Sequence, residues 1–236
     1  AMSNNMKSNW GYLFIAPWLL GFVAFVAGPF LASVYLSFTR YDIVTSPVWV
    51  GLANYKKLAF EDPLFWKSLW ITIRFALIAV PLGIAAGVGL ALLLNLVLPG
   101  ISVYRAIFYV PAIVPAVAGS VVFMWLLNPQ IGLINSLLST VGIEGPAWLQ
   151  KPTWAFWSLV MMSLWGVGGS MIIYLAGLKD IPRSLYEAAM IDGAGTFDRI
   201  RHVTIPLLTP VIFFNLVMGV IGAFQYFAQA YIMTQG

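Results

Sequence analysis

The sequence of 236 residues has no cysteine, one histidine and eight acidic residues. Without thiols there are no disulfides and no thiolate metal sites. A single His leaves no metal-ligand cluster and no Ser/His/Asp set for nucleophilic catalysis. Charged residues make up 8% of the chain, whereas a soluble domain carries roughly 25%, so most of this surface does not face water. The net charge of +4 is scattered along the chain, which excludes a basic nucleic-acid patch. No Gly-x-x-x-x-Gly-Lys-Ser/Thr occurs, so the chain does not itself cradle nucleotide phosphates. No internal repeat is present.

What the sequence does have is apolar length. Hydrophobic residues make up 61% and aromatics 15%, the latter suiting two lipid–water interfaces. Five stretches are free of Lys, Arg, Asp and Glu: 8–39, 75–104, 106–143, 152–178 and 202–236. A bilayer core takes about 20 apolar residues per helix. These runs therefore predict an all-α polytopic bundle with spans near 12–38, 70–97, 106–128, 153–177 and 207–233. Pro17, Pro29, Pro81, Pro111 and Pro115 lie inside apolar runs, where neighbouring helices can re-satisfy the freed carbonyls. The first span is too long for a cleavable leader and lacks a small-residue cleavage site. Ala1 to Met6, with its internal Met, reads as a cloning scar and is set aside.

The connections differ in character. Residues 39–69 read as a loop, with Tyr55-Lys56-Lys57-Leu58 and Leu64-Phe65-Trp66 as a surface-lying amphipathic piece. The stretch from Asn128-Pro129-Gln130 to Gly142 reads as a loop with a short amphipathic helix. Basic residues split six against six between the two sides, so charge asymmetry does not set orientation. Residues 178–206 form the one long loop that is both polar and rich in helix signals. Ser184 and Glu187 have capping-box spacing, and Gly193 and Gly195 offer a stop where positive φ is allowed. Thr196 suits the cap of a second short helix, and Pro206 the first turn of the next membrane helix. Ala188 and Ala189 would let another protein approach closely. His202 reads as an interfacial structural residue rather than a ligand.

The spacing Glu187-Ala188-Ala189, three residues, Gly193, then Val203-Thr204-Ile205-Pro206 resembles the EAA motif of ABC importer permeases. Val203 and Ile205 are conservative departures from its usual tail. Other stretches resemble the carbohydrate-type (maltose- and glycerol-phosphate-like) members. They are Tyr12 to Pro17, Ser37-Phe38-Thr39, Val50-Gly51-Leu52-Ala53-Asn54-Tyr55, Pro111 to Pro115, Trp125 to Pro129, and Thr234-x-Gly236. Ile71 stands before Thr72 where those proteins usually have Asn. The resemblance implies that residues 1–11 form a cytoplasmic segment and 12–236 a permease domain, with 178–206 its cytoplasmic coupling loop. Ser184, Glu187, Ala188, Ala189, Asp192 and Gly193 would dock on an ATPase subunit. It further implies a second permease chain, two ATPase subunits that bind ATP and Mg²⁺, and an external solute-binding protein. This chain would carry no cofactor of its own and no catalytic residue. The location implied is a bacterial or archaeal inner membrane, N-terminus inside. Six helices are usual in the family, so one more is expected beyond Gly236.

For the solute path, the fifth helix offers Asn215, Gln225, Tyr226 and Gln229. The substrate face of maltose-type permeases would fall on Gly219, Ala223 and Tyr226; small residues at the first two leave room. The fourth helix offers Trp165, Gly166, Gly168, Gly169 and Ser170, a glycine cluster that predicts unwinding or close packing. Asn215 and Gln229 read equally well as interhelical hydrogen-bonding residues. The alternative to an ATP-driven permease is an ion-coupled secondary carrier. Such a carrier usually buries an Asp, Glu or His mid-membrane, and these spans hold almost no charge apart from Arg74.

Overall fold

The computed structural model describes residues 4–96 and 98–235, with side chains from residue 11 onward. Gly236, the last residue of the Thr234-x-Gly236 match, and the first three residues of the N-terminal scar lie outside the described residues. Two compact units emerge, Ala1–Leu69 and Trp70–Gly236. The described chain is helical apart from one two-residue antiparallel ribbon, Thr39–Arg40 with Val48–Trp49.

In the first unit, helix α1 (Asn4–Phe22) runs through a π-turn at Val23–Ala27 into α2 (Gly28–Ser37). The widened turn leads into Pro29, which has no N–H and would clash with a carbonyl four residues back in a regular helix. Gly28 is required by this turn, since a Cβ there would sit 2.8 Å from the Val23 carbonyl oxygen. Beyond α2, two of the sequence signatures meet. Asn54, on the short helix α3 (Ala53–Lys56), donates through Nδ2 to the carbonyls of Ser37 (2.9 Å) and Thr39 (2.8 Å). Tyr55 packs on Phe38 with ring centroids 5.4 Å apart, and Phe38 stacks on Trp49 at 5.5 Å. Gly51, at φ +57°, makes the turn that delivers them. At the ribbon's tip, the Asp42 carboxylate accepts hydrogen bonds from the Thr45 hydroxyl (2.6 Å) and N–H (3.0 Å), which hold its pKa below the ordinary value. A π-turn at Lys57–Glu61 precedes Pro63, and the Ala59 carbonyl accepts the Trp66 indole N–H at 2.7 Å.

Helix α4 (Pro63–Leu94) is 32 residues long, about 48 Å at 1.5 Å per residue. It corrects the expected start at 70 and absorbs Leu64-Phe65-Trp66, because Pro63 is a favourable first-turn residue. Arg74 therefore sits well inside the helix, over the Phe156 ring at 4.7 Å.

In the second unit, α5 (Ile101–Tyr109) and a 3₁₀ turn (Val110–Ile113) lead to α6 (Ala116–Leu126). The expected single span over 106–128 is bent by 100° at this junction. Val114 is extended (ψ 127°) because the ring of Pro115 bars the α conformation to the residue before it. The outer-loop helix expected before Gly142 is α7 (Leu133–Thr140). Asn128 begins this loop by accepting the N–H groups of Gln130 (2.9 Å) and Ile131 (3.0 Å). The fourth span is α8 (Pro152–Trp165) and α9 (Gly168–Lys179), bent by 45° at Gly166-Val167. Gly168 lies against the Phe108 carbonyl so closely that a Cβ could not be accommodated. After α10 (Arg183–Ile191), one continuous helical stretch runs from α11 (Thr196–Arg199) through a π-turn at Ile200–Thr204 into α12 (Ile205–Phe224). Pro206 stands in the first turn of α12, as expected, while α12 itself continues this longer stretch, the π-turn accommodating the proline. The expected span over 207–233 stops at Phe224, and α13 (Ala228–Thr234) follows separately, packed on α6 and α8.

Among the described residues, three helices are long and apolar enough to cross a membrane, or up to five if each bent pair counts as one span. Buried side chains form three clusters along the second unit. One joins α4, α9 and α12 around Tyr174, Met171 and Leu208; another joins α4, α8 and α12 around Phe75 and Val160; the last joins α6, α8 and α13 around Leu127 and Met233.

Candidate functional site

Two places gather the residues singled out from sequence. The first is α10 and its end. Ala194 N–H reaches the Ala189 carbonyl (2.8 Å) and Gly193 N–H that of Met190 (3.1 Å). With Gly193 at φ +80°, this is a Schellman termination, and it fixes where the helix stops. The start is built differently from the expected capping box. Pro182 holds the N-cap position without a side-chain hydrogen bond, which places Ser184 inside the first turn and Glu187 a turn further in. Nor does Thr196 cap the next helix: Gly195, at φ −69°, is the N-cap, and its N–H donates to the Asp198 carboxylate at 3.2 Å. Tyr186 faces the protein, its hydroxyl 3.0 Å from Thr204 Oγ1. Ser184, Glu187, Ala188, Asp192 and Gly193 are exposed, and Ala189 is half-buried. Leu185, which the sequence places on the same helix faces as Ala188, Ala189 and Asp192, is 42% exposed, and the apolar surface extends to two residues the sequence reading missed, Met190 (50%) and Ile191 (87%). Leu185, Met190 and Ile191 stand five and six residues apart, off the i, i+3, i+4 pattern that marks one helical face, so periodicity did not flag them together.

The second place is a cavity of about 480 Å³ where α4, α8, α9, α12 and the start of α13 converge. Ser170, Asn215, Gly219, Ala223, Tyr226 and Gln229 all line it. Tyr226 lies in the break after α12, held by a stack on Phe75 (4.7 Å between centroids) and donating its hydroxyl to the Leu159 carbonyl at 3.5 Å. Gly219 brings α12 against α4, since a Cβ there would lie 3.1 Å from Val80 Cγ1. Asn215 Nδ2 donates to Val211 of its own helix (2.9 Å) rather than to a neighbour, leaving its carbonyl oxygen as an acceptor. Ser170 donates to the Val167 carbonyl at 2.9 Å. A smaller adjoining cavity of about 250 Å³ shares Ser163, Tyr226 and Gln229 and adds Trp165 and Gly166. Trp165 is set by an edge contact to Phe123 at 5.5 Å. Gln225 stands apart: it is exposed, lines neither cavity, and closes α12 with its N–H on Ile221 and Gly222.

One residue absent from the sequence reading belongs with this group. Tyr174 lines the larger cavity, and its buried hydroxyl has no hydrogen-bond partner among the described residues. A buried unsatisfied hydroxyl costs about 1–3 kcal/mol. In the sequence it lies inside an apolar run, where Tyr reads as core. Among the lining residues of both cavities none is charged. Amide and hydroxyl groups beside Phe75 and Trp165 suit a neutral solute that both donates and accepts hydrogen bonds.

Known proteins of the same kind match over most of the chain. Residues 79–236 match the family described as binding-protein-dependent transport system inner membrane component. The Bacillus subtilis protein YesP, which bears an ABC transporter permease name, is 45% identical over 228 residues, covering 96% of this chain and 74% of its own length. The trehalose/maltose transport system permease protein MalF of Thermococcus litoralis is 36% identical over 245 residues, covering 100% of this chain and 82% of its own. The sulfoquinovosyl glycerol transport system permease protein SmoG of Agrobacterium fabrum is 36% identical, covering 95% and 73%. A crystal structure of a bacterial alginate ABC transporter, in complex with alginate pentasaccharide-bound periplasmic protein, aligns with TM-score 0.82. That match covers 99% of this chain and 82% of its counterpart at 23% identity, and gives the fold. Apolar helices, cavity lining and relatives agree: the chain belongs to the binding-protein-dependent transport system inner membrane component family and is a multi-pass ABC importer permease.

Proposed function

We propose that this permease forms half of the translocation path for a sugar or sugar-like solute, and that α10 couples the path to an ATPase subunit. The single observation that carries the coupling role is the exposed apolar surface of Leu185, Met190 and Ile191 on a helix outside the spans. Such a surface beside the small residues Ala188 and Ala189 suits a groove on another protein. Ser184, Glu187, Asp192 and Gly193 lie on or at the end of the same helix and would line the contact. In this reading residues 178–206 and the N-terminus are cytoplasmic. A second permease chain would complete the path, two ATPase subunits would bind ATP and Mg²⁺, and an external binding protein would deliver solute. Closing of the ATPase pair would then be carried through α10 into α9 and α12, an alternating-access change of the rigid-body kind.

The solute path in this reading is the pair of adjoining cavities lined by Asn215, Gly219, Ala223, Tyr226, Gln229, Ser170 and Trp165, with Tyr174 added. Support for a sugar comes from the uncharged amide, hydroxyl and aromatic lining and from the trehalose/maltose and sulfoquinovosyl glycerol names of two relatives. The test is uptake by the complete transporter reconstituted in vesicles. Ala189→Arg should abolish ATP-dependent uptake while the chain still inserts and assembles with its partner permease. Undiminished uptake by this variant, or uptake that persists without ATP hydrolysis, would remove the coupling role.

A further inference from the structure

Away from α10's exposed face and the solute cavities, one more cavity is chemically one-sided. It has a volume of about 790 Å³ and lies between the end of α4, the start of α5, the Lys179–Arg183 segment and the Thr196–Thr204 turn. Arg105, Lys179, Arg183 and Arg199 all line it, and none of its lining residues is acidic. The rest of the wall is largely apolar, including Leu92, Leu98, Leu178 and Ile181.

The cations are positioned from within the fold. Arg105 donates from Nε (3.2 Å) and Nη2 (2.7 Å) to the Leu94 carbonyl at the end of α4. A guanidinium carries five donors, so Nη1 remains to reach a ligand. Arg199 is fixed by Nη2 on Thr196 Oγ1 (3.1 Å) and Nε on the Gly195 carbonyl (3.4 Å). The Asp198 carboxylate, which could have neutralised this turn, instead accepts the Gly195 N–H and is outside the lining. Four like charges around one recess repel one another, and an anion between them relieves that repulsion. Guanidinium forks fit the oxygens of a phosphate better than a point charge does. An apolar wall beside the basic one suits what such a phosphate carries at the end of membrane helices.

We propose that this cavity binds a phosphate-bearing anion, with the four cations on the phosphate and the apolar wall against its organic part. An anionic phospholipid supplies both halves; free phosphate supplies one. The test is native mass spectrometry of the complete detergent-purified transporter, offered phosphatidylglycerol and phosphatidylcholine at equal concentrations. Phosphatidylglycerol should be retained preferentially. K179Q/R183Q should weaken its binding about 25-fold, about fivefold for each cation. Lys179→Gln alone, at an exposed position before the coupling helix, should give the single fivefold step if the double variant does not assemble. Arg201→Gln, exposed and off the lining, should leave binding unchanged. Adding millimolar inorganic phosphate separates the sources: displacement of the lipid assigns the site to phosphate alone, and retention assigns it to the lipid. Equal retention of the two lipids without any phosphate binding, or phosphatidylglycerol binding unaffected by either Lys179 variant, would overturn the proposal.

Discussion

Two helices in this permease end within a few residues of its two proposed functional surfaces, and they end for different reasons. Helix α10 stops at Ile191 because Gly193 adopts φ +80° and two backbone N–H groups fold back on Ala189 and Met190. Helix α12 stops at Phe224 with neither glycine nor proline among Gln225, Tyr226 and Phe227. Its stop coincides with Tyr226 turning inward onto Phe75. The proposed coupling surface is thus bounded by local backbone chemistry, and the proposed solute cavity by packing between distant segments. A sequence announces the first kind of boundary and conceals the second.

That contrast can be broken in order of expected effect. Ala189→Arg leaves the α10 termination intact but obstructs its outer face, so ATP-driven uptake in reconstituted vesicles should fall at least tenfold. Gly193→Leu places a bulky residue in the left-handed region at a cost of roughly 1–2 kcal/mol and should lower uptake several-fold. Gly195→Ala, at φ −69°, should cost far less; equal losses in both variants would mean that backbone strain does not define this end. Tyr226→Ala removes the Phe75 stack, about 0.5–1.5 kcal/mol, and one hydrogen bond of similar size. Its initial uptake rate should fall several-fold at unchanged membrane level, with Tyr174→Phe giving a smaller loss of the same kind. Gln225→Ala should stay within about twofold, since that side chain lines neither cavity. A Gln225 effect as large as that of Tyr226 would return the helix end to local control.

Much of the architecture was readable because charge-free runs have one physical cause, the cost of ionised groups in hydrocarbon. Boundaries were less so. The bend before α6 follows from Val114-Pro115 and could have been drawn from sequence. The early start of α4 at Pro63 was hidden by Lys67, which looks like a loop residue until it is placed on a helix longer than the bilayer core. The π-turns at Val23–Ala27, Lys57–Glu61 and Ile200–Thr204 each end two residues before a proline. Proline warned of an irregularity without saying that the helix would widen rather than break at two of them. Among the residues proposed for the solute path, Asn215, Gly219, Ala223, Tyr226, Gln229 and Ser170 converge on one cavity. Gln225 does not: it ends α12 exposed, one residue before the chain turns inward at Tyr226. Tyr174 escaped notice because its significance is an unpaired hydroxyl, which only the packing around it reveals.

Gly168 has a mechanical consequence. Its Cα rests on the Phe108 carbonyl with no room for a Cβ, so the end of α5 and the start of α9 touch backbone to backbone. Side chains can change rotamer to let one helix slide past another, but two bare backbones in contact have no such clearance. A displacement of α9 would therefore carry the end of α5 with it, and the bend it would work against is the 45° joint at Gly166-Val167, beside the Trp165 that lines the smaller cavity.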